Sequence, residues 1–145
     1  MPDPASDRAA DAAAVVDAFL EASMRPDPEA AAAFMAPEVR IVFTGGRVFR
    51  HPREATAFNA GRYAWVKKQP LRNDVVPGVG ETVVYNLGTL HGAWPDGRSF
   101  AGNRYVDRFV VRGGLIVSHE VWNDSAERIL EPALDLAPDG AGEGG

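Results

Sequence analysis

The sequence predicts an α+β domain in which a curved antiparallel sheet packs on three N-terminal helices around one pocket. Apolar residues recur at helical spacing early in the chain, the second half alternates as strands do, and glycine-containing turns divide that half into three runs. The 145 residues suit a single domain. We expect its core at about 8–130 and a disordered tail rich in proline, glycine and acid at about 138–145.

The first two helices are indicated by periodicity and by capping residues. Apolar positions three and four apart predict a helix over about Arg8–Met24; they are Ala12, Val15, Val16, Phe19 and Leu20. Asp27 supplies an N-cap, Pro28 suits the first helical position, and Glu29 places an acid in the first turn. A short second helix is therefore predicted over Pro28–Met35.

A third helix and two early strands complete the predicted first half. Val39–Phe43 is rich in β-branched and aromatic residues and predicts a strand. The helix is predicted to begin at His51, to run to about Lys67 and to be ended by Pro70. A short strand is expected around Asp74–Val76.

The second half predicts an antiparallel meander. Thr82–Trp94, Phe100–Arg112 and Leu115–Trp122 are strand-like, and Pro95–Gly97 and Gly113–Gly114 form the turns between them. A long, bent sheet against helices leaves a cone-shaped hollow, and such hollows bind small apolar ligands.

Composition excludes several classes of function. Cysteine is absent, which excludes disulfides and thiolate metal sites, and three histidines alone make a catalytic metal unexpected. A net charge of −5 argues against nucleic-acid binding. No apolar run is long enough to span a membrane and the first residues lack a basic region, so a cytoplasmic protein is expected. The sequence has no Walker A loop, G-x-S-x-G elbow or H-E-x-x-H motif, so no cofactor is expected.

The run before Gly113 carries the first candidate site residue. Alternation places Asp107 on the same face as the apolar Tyr105 and Phe109. A lone carboxylate on an apolar face is costly unless it is paired or protonated, and burial is expected to raise its pKa toward the range useful for acid–base chemistry. The alternative is a structural hydrogen bond.

A histidine on the last predicted strand is the second candidate. His119 is the polar exception on a face otherwise formed by Leu115, Val117 and Val121. An imidazole beside Asp107 would form an acid–base pair. The alternative is a histidine that only satisfies the core.

Further polar candidates lie on the neighbouring elements. His91 and Thr89 share one face of the preceding strand. Asp124 ends the last strand, where a plain helix N-cap is the alternative. Asn59 and Tyr63 flank the apolar side of the third helix and could reach the pocket mouth, with solvent exposure as the alternative.

Four segments carry a resemblance to a known family. Gly88–Gly92 and Asp96–Arg98 look like a GTxxG strand and its hairpin, and His51–Ala55 resembles the start of the family's third helix. Tyr105–Asp124 is similar to its closing hairpin. On these segments the chain resembles, over about residues 10–130, the SnoaL-like branch of the NTF2-like superfamily.

The resemblance implies an NTF2-like cone and suggests roles for three residues. Asp107 matches an acid of ketosteroid isomerases, Asp124 matches an acid of limonene epoxide hydrolases and SnoaL-type polyketide cyclases, and His91 is the nearest match to a cyclase histidine. Steroid isomerisation is not expected, because the general base of those isomerases would fall near Phe43 and their tyrosine near Phe19.

The expected function is a cofactor-independent enzyme of isomerase, cyclase, dehydratase or hydrolase type. It would use acid–base chemistry on a hydrophobic carbonyl or polyketide-like compound; the alternative is a non-catalytic ligand-binding or dimeric interaction domain. By the same resemblance a homodimer is expected. The predicted catalytic set is Asp107, His119, Asp124 and His91, and the predicted substrate-binding set is Phe19, Thr44, Asn59, Tyr63, Thr89, Tyr105 and Phe109.

Overall fold

The computed structural model describes residues 4–25 and 27–134, so the predicted tail at 138–145 lies outside the described residues. The elements are α1 (Pro4–Ser23), α2 (Pro28–Ala32), β1 (Met35–Val42), β2 (Val48–Phe49), α3 (Pro52–Arg62), β3 (Trp65–Pro77), β4 (Thr82–Ala93), β5 (Ser99–Arg112), β6 (Leu115–Asn123) and α4 (Ser125–Leu134). None of the helices in these residues is long and apolar enough to cross a membrane.

One six-stranded sheet carries the fold, in the order β2-β1-β6-β5-β4-β3. The three predicted strands of the second half pair antiparallel as expected, and β3 adds to them along β4. The α+β class with a curved sheet against N-terminal helices is therefore confirmed. The sheet is mixed, however, because β1 pairs with β6 in parallel.

The third helix and the strand after it differ most from the prediction. The helix ends at Arg62 rather than Lys67, and β3 runs through Pro70, which was expected to follow a helix. In this sheet β3 is an edge strand, and edge strands are where sheets tolerate a proline. A register shift just after Pro70 relieves the local geometry.

The second helix is also shorter than predicted, and here too a proline lies within a strand. It ends at Ala32, and β1 begins at Met35. Pro37 lies in β1, where the pairing with β6 is interrupted between Met35 and Arg40. The proline therefore removes no ladder hydrogen bond.

Two glycines explain why β3 can approach β4 so closely. A methyl group on Gly88 would lie 2.3 Å from the carbonyl oxygen of Gln69, and one on Gly92 would lie 2.1 Å from the carbonyl oxygen of Trp65. Both contacts are impossible for a real side chain, so only glycine fits at these positions. The first and last residues of the Gly88–Gly92 motif thus permit the close approach of the edge strand.

A bulge in β6 changes which residues face inward. Val110 pairs with Ser118 but Val111 pairs with Ile116, which leaves Val117 as the extra residue. Ile116 therefore enters the core, whereas Leu115 is exposed. The prediction that Leu115 and Val117 share the inner face with His119 is wrong.

In the part of the chain that the structure describes, the apolar core forms two clusters. The first, called here the helix cluster, joins α1 and α2 to β1 and to residues of β4, β5 and β6. It includes Phe19, Ile41 and Phe109. The second, the aromatic cluster, consists of Tyr63, Leu90, Trp94, Phe100 and Tyr105. The cavity described next lies between them.

Candidate active site

A cavity of ≈ 120 Å³ lies between the helices and the inner face of the sheet. Residues of both clusters line it. They are Phe19, Ala31 and Ile41 from the helix cluster and Tyr63, Leu90 and Tyr105 from the aromatic cluster. Largely apolar walls with a few polar groups are typical of small-molecule sites.

Three ionisable side chains meet at the cavity. Asp107 on β5 accepts a hydrogen bond at Oδ2 from Nζ of Lys68 on β3, and the same oxygen lies 3.3 Å from Nε2 of His119 on β6. The Lys68 ammonium lies 4.8 Å from the centre of the Tyr105 ring. Gly88, beside that ring, has no side chain to displace it. Lysine, carboxylate and imidazole thus form one hydrogen-bonded group, called here the polar triad.

Aromatic neighbours fix the His119 ring. It stacks on Phe109 with the ring centres 4.2 Å apart and meets the Phe19 edge at 5.3 Å. With Nε2 directed at the Asp107 carboxylate, Nε2 is the donor, so Nδ1 carries the free electron pair. Nδ1 has no hydrogen-bond partner among the residues that the structure describes.

The charge state of the polar triad differs from the expectation. Burial favours the neutral acid and is the largest influence on Asp107, yet the Lys68 charge and the His119 hydrogen bond together lower the pKa of Asp107. The expected rise is therefore wrong, because the sequence interpretation lacked Lys68. Burial also lowers the pKa of His119, although Asp107 opposes that shift. At neutral pH the site holds a carboxylate and a neutral imidazole.

The three side chains differ in how far a ligand in the cavity can contact them. Asp107 is 0% exposed, whereas the side chains of Lys68 and His119 are 20% and 7% exposed. The second carboxylate oxygen, Oδ1, is buried with no hydrogen-bond partner in the described part of the chain. A ligand can therefore reach Lys68 and His119, and Asp107 acts through them.

Stability is expected to fall as the pH is lowered below about 6.5, the ordinary pKa of histidine. Below that value the unfolded chain binds a proton that native His119 takes up only at lower pH. This loss is at most about 1.4 kcal/mol per pH unit. Below 3.8 the lowered pKa of Asp107 adds a second loss of the same sign.

Urea denaturation at a series of pH values measures this dependence. The variant His119→Gln should flatten the decline between neutral and mildly acidic pH. His91→Gln, on the partly buried outer face of β4, is the matched control. An equal decline in the wild type and in His119→Gln would contradict the assignment.

Four predicted substrate-binding residues line the cavity. They are Phe19, Asn59, Tyr63 and Tyr105. The hydroxyl of Tyr63 donates to Oγ of Ser125 at 2.7 Å, and that of Tyr105 donates to Oδ1 of Asn86. Burial raises the pKa of both phenols, and for Tyr105 the charges of Asp107 and Asp17 add to the rise. Both side chains therefore stay neutral.

The placement predicted for His91 and Thr89 is wrong. Asn86 pairs directly with Asp107, so the even-numbered residues of β4 share the inner face and the odd-numbered ones face outward. His91 meets the edge of Trp65 there, with ring centres 5.8 Å apart. Neither residue lines the cavity.

Asp124 also lies outside the cavity. Its carboxylate accepts a hydrogen bond of 2.7 Å from Nε of Arg104 on the outer face, and the Arg104 hydrogen bonds lower the pKa of Asp124. The N–H of Ser125 is capped by the side chain of Asn123 instead, at 3.0 Å. The catalytic role predicted for Asp124 is not supported by this position.

Two further predicted contacts are absent. Thr44 lies in a one-turn 3₁₀-helix, Thr44–Gly46, with its hydroxyl buried and unbonded within the described residues, and it does not line the cavity. Phe109 is fully buried against the His119 ring. Phe109 therefore supports the imidazole rather than a ligand.

Lys68 is the candidate functional residue that the sequence analysis missed. The third helix was predicted to run to about Lys67, so Lys68 was not assigned to a strand that lines the cavity. One signal was available, because Val66 and Lys68 share a face if the segment is extended. Both line the cavity, as does Lys67 between them. Within the described residues no group of three or more histidine or acidic side chains could hold a metal ion.

The fold and the cavity define an α+β domain with a site for a small molecule between its helices and its sheet. The match to a known family agrees with this class. A model of the SnoaL-like domain matches residues 16–119. The chain belongs to the SnoaL-like domain family. No curated protein matches it in sequence.

Solved structures share the fold. An NTF2-like protein of unknown function from Burkholderia pseudomallei is 25% identical, with a TM-score of 0.66, over 82% of this chain and 95% of that one. A putative SnoaL-like polyketide cyclase from Jannaschia sp. is 16% identical, with a TM-score of 0.66, over 90% and 94%. TerC, co-crystallised with polyporic acid, is 16% identical, with a TM-score of 0.67, over 82% and 95%.

Proposed function

We propose that the chain is a cofactor-independent enzyme that moves a proton on the carbon next to a carbonyl group of a small hydrophobic compound. One observation carries the proposal. A neutral imidazole, held by a buried carboxylate and beside a lysine, borders an otherwise largely apolar cavity. The oriented pair of His119 and Asp107 has the arrangement in which an imidazole acts as a general base.

The reaction follows from the positions of the three groups. Nδ1 of His119 accepts the proton, and the electrons of the broken C–H bond move to the carbonyl oxygen to give an enolate. Lys68 donates a hydrogen bond to that oxygen, while Asp107 stabilises the imidazolium. The imidazolium then returns the proton to another carbon. Alternatively, the enolate carbon attacks a second carbonyl carbon of the same molecule, the electrons of that C=O bond move to its oxygen, and the imidazolium protonates the resulting alkoxide. These outcomes correspond to an isomerase and a cyclase.

The apolar walls support this chemistry. A ligand that fills the cavity displaces water from it, and the hydrogen bond from Lys68 to a developing oxyanion is then stronger than in solution. The lowered pKa of His119 keeps the imidazole unprotonated, and so able to accept a proton, at neutral pH. The structural neighbours called polyketide cyclases are consistent with such chemistry.

A non-catalytic binding module is the second candidate. The hydrogen bonds between Lys68, Asp107 and His119 would also be found in a purely structural buried network. A structural neighbour with the same fold was crystallised with polyporic acid. In this case the protein would hold a small molecule and leave it unchanged.

Exchange of carbon-bound hydrogen for deuterium tests the proposal. Cyclohexanone, cyclohex-2-enone and acetophenone are incubated in D2O with the protein, and proton NMR follows the signal of the hydrogens next to the carbonyl. We expect the wild type to accelerate exchange of at least one ketone, and His119→Gln to lower that rate by about 10²- to 10⁴-fold.

His91→Gln is the matched control, because it makes the same change on the outer face of β4. It should exchange at the wild-type rate. If the wild type and His119→Gln give equal rates, His119 is not the base. If a ketone binds without any accelerated exchange, the binding module is favoured.

A further inference from the structure

We infer that the ligand of this cavity is a single-ring compound that presents a negatively charged oxygen to Lys68. The inference names a substrate class for the site on which the proposed function rests. It concerns binding alone, so it can be tested whether or not the protein is catalytic. Three observations carry it: the size of the cavity, the sign of its accessible charge and the free donors of Lys68.

Size limits the ligand to about one ring. The cavity measures ≈ 120 Å³, and a cavity of about 150 Å³ is known to hold a benzene molecule. A fused two-ring body would have to project out of this space. The apolar part of the lining, such as Leu90 and Val121, suits the face of one ring.

The accessible charge of the cavity is positive, although the chain as a whole carries −5. Asp107 is the only acidic side chain lining it within the described residues, and that carboxylate is 0% exposed. Lys68 is 20% exposed, and Arg25 also lines the cavity. A ligand therefore meets the ammonium, while the balancing carboxylate stays behind it.

Lys68 has hydrogen-bonding capacity to spare. An ammonium group carries three N–H donors, and among the described residues only Asp107 accepts from it. The Asp107 hydrogen bond and the Tyr105 ring, 4.8 Å away, hold Nζ in place. Such a pre-positioned donor binds a charged oxygen more strongly than a neutral one.

Probes of matched shape test the charge preference. Benzoate and benzamide differ little in size, and isothermal titration calorimetry measures both against the wild type. We expect benzoate to bind about 10- to 100-fold more tightly, and its affinity to fall with added salt. Benzoate represents a ligand with a carboxylate. At alkaline pH, 4-nitrophenolate represents a ligand with an enolate oxygen. The relative affinities of the two probes distinguish these two sources of negative charge.

Size and residue identity are tested in the same way. 2-Naphthoate should bind at least about 10-fold more weakly than benzoate, because the second ring does not fit the cavity. Lys68→Gln should bring the benzoate-to-benzamide ratio close to one. Arg72→Gln, which removes an exposed cation of the same strand outside the cavity, should keep the wild-type ratio.

The wild-type measurements decide the inference even if Lys68→Gln does not fold. Equal affinity for benzoate and benzamide, or tighter binding of 2-naphthoate than of benzoate, would overturn it. Loss of the anion preference in Arg72→Gln as well as in Lys68→Gln would assign the effect to overall charge instead. Absent deuterium exchange would count against the proposed function but not against this result.

Discussion

Replacing Lys68 with methionine is expected to lower the free energy of unfolding by about 3–5 kcal/mol. The change leaves the fully buried Asp107 carboxylate without its cation, and among the described residues only His119 remains to hydrogen-bond it. An uncompensated buried charge is one of the few causes of so large a loss. Denaturant unfolding followed by circular dichroism gives the value.

Two companion variants show whether the loss comes from the ion pair. Lys67→Met changes the neighbouring exposed lysine and should cost less than about 0.5 kcal/mol. The double variant Lys68→Met with Asp107→Leu removes both charges and should recover a large part of the stability. If the double variant is as unstable as the sum of the two single changes, the ion pair is not the cause.

Asp107→Asn is expected to lower the rate of deuterium exchange by about 10²- to 10⁴-fold while the cavity keeps its shape. Asparagine is nearly the same size as aspartate, but it lacks the charge that stabilises the imidazolium. Its amide can also donate to Nε2, which favours the tautomer with the proton on Nδ1. The base then has no free electron pair toward the ligand.

The pH dependence of the rate separates this role from a purely structural one. Asp107 raises the pKa of His119 by its hydrogen bond and its charge, against the effect of burial. Removing that charge should move the acidic limb of the rate profile to lower pH. Asp124→Asn, on the outer face, should change neither the rate nor the limb. A slower Asp107→Asn enzyme with an unmoved limb would indicate a structural role only.

The order of elements could be predicted because its signals are local. The Asp27 side chain caps α2 through the N–H of Ala30, and His51 and Glu54 form a reciprocal capping box at α3. The β3 strand could not be predicted in the same way. A strand can contain Pro70 only if that strand lies at the edge of the sheet. The position of a strand in the sheet depends on distant parts of the chain, so the residues around Pro70 do not predict it.

The candidate site was predicted in part. Alternation within β5 correctly placed Asp107 inward, since it needs only that strand. The face of His91 depends on the register of β4 against β5, and that register shifts between Leu90 and Gly92, where no local sequence pattern indicates it. The pKa of Asp107 depends on Lys68, which lies 39 residues away in sequence. The roles of the polar triad and the expected homodimer remain predictions.

The position of the cavity between the helix cluster and the aromatic cluster has a consequence for the ligand. A molecule that fills the space touches both clusters and makes them one continuous apolar interior. Its binding then raises the free energy of unfolding by RT ln(1 + L/Kd), where L is the concentration of free ligand. The compound that the protein binds therefore also contributes to the stability of the folded chain, and its removal lowers that stability.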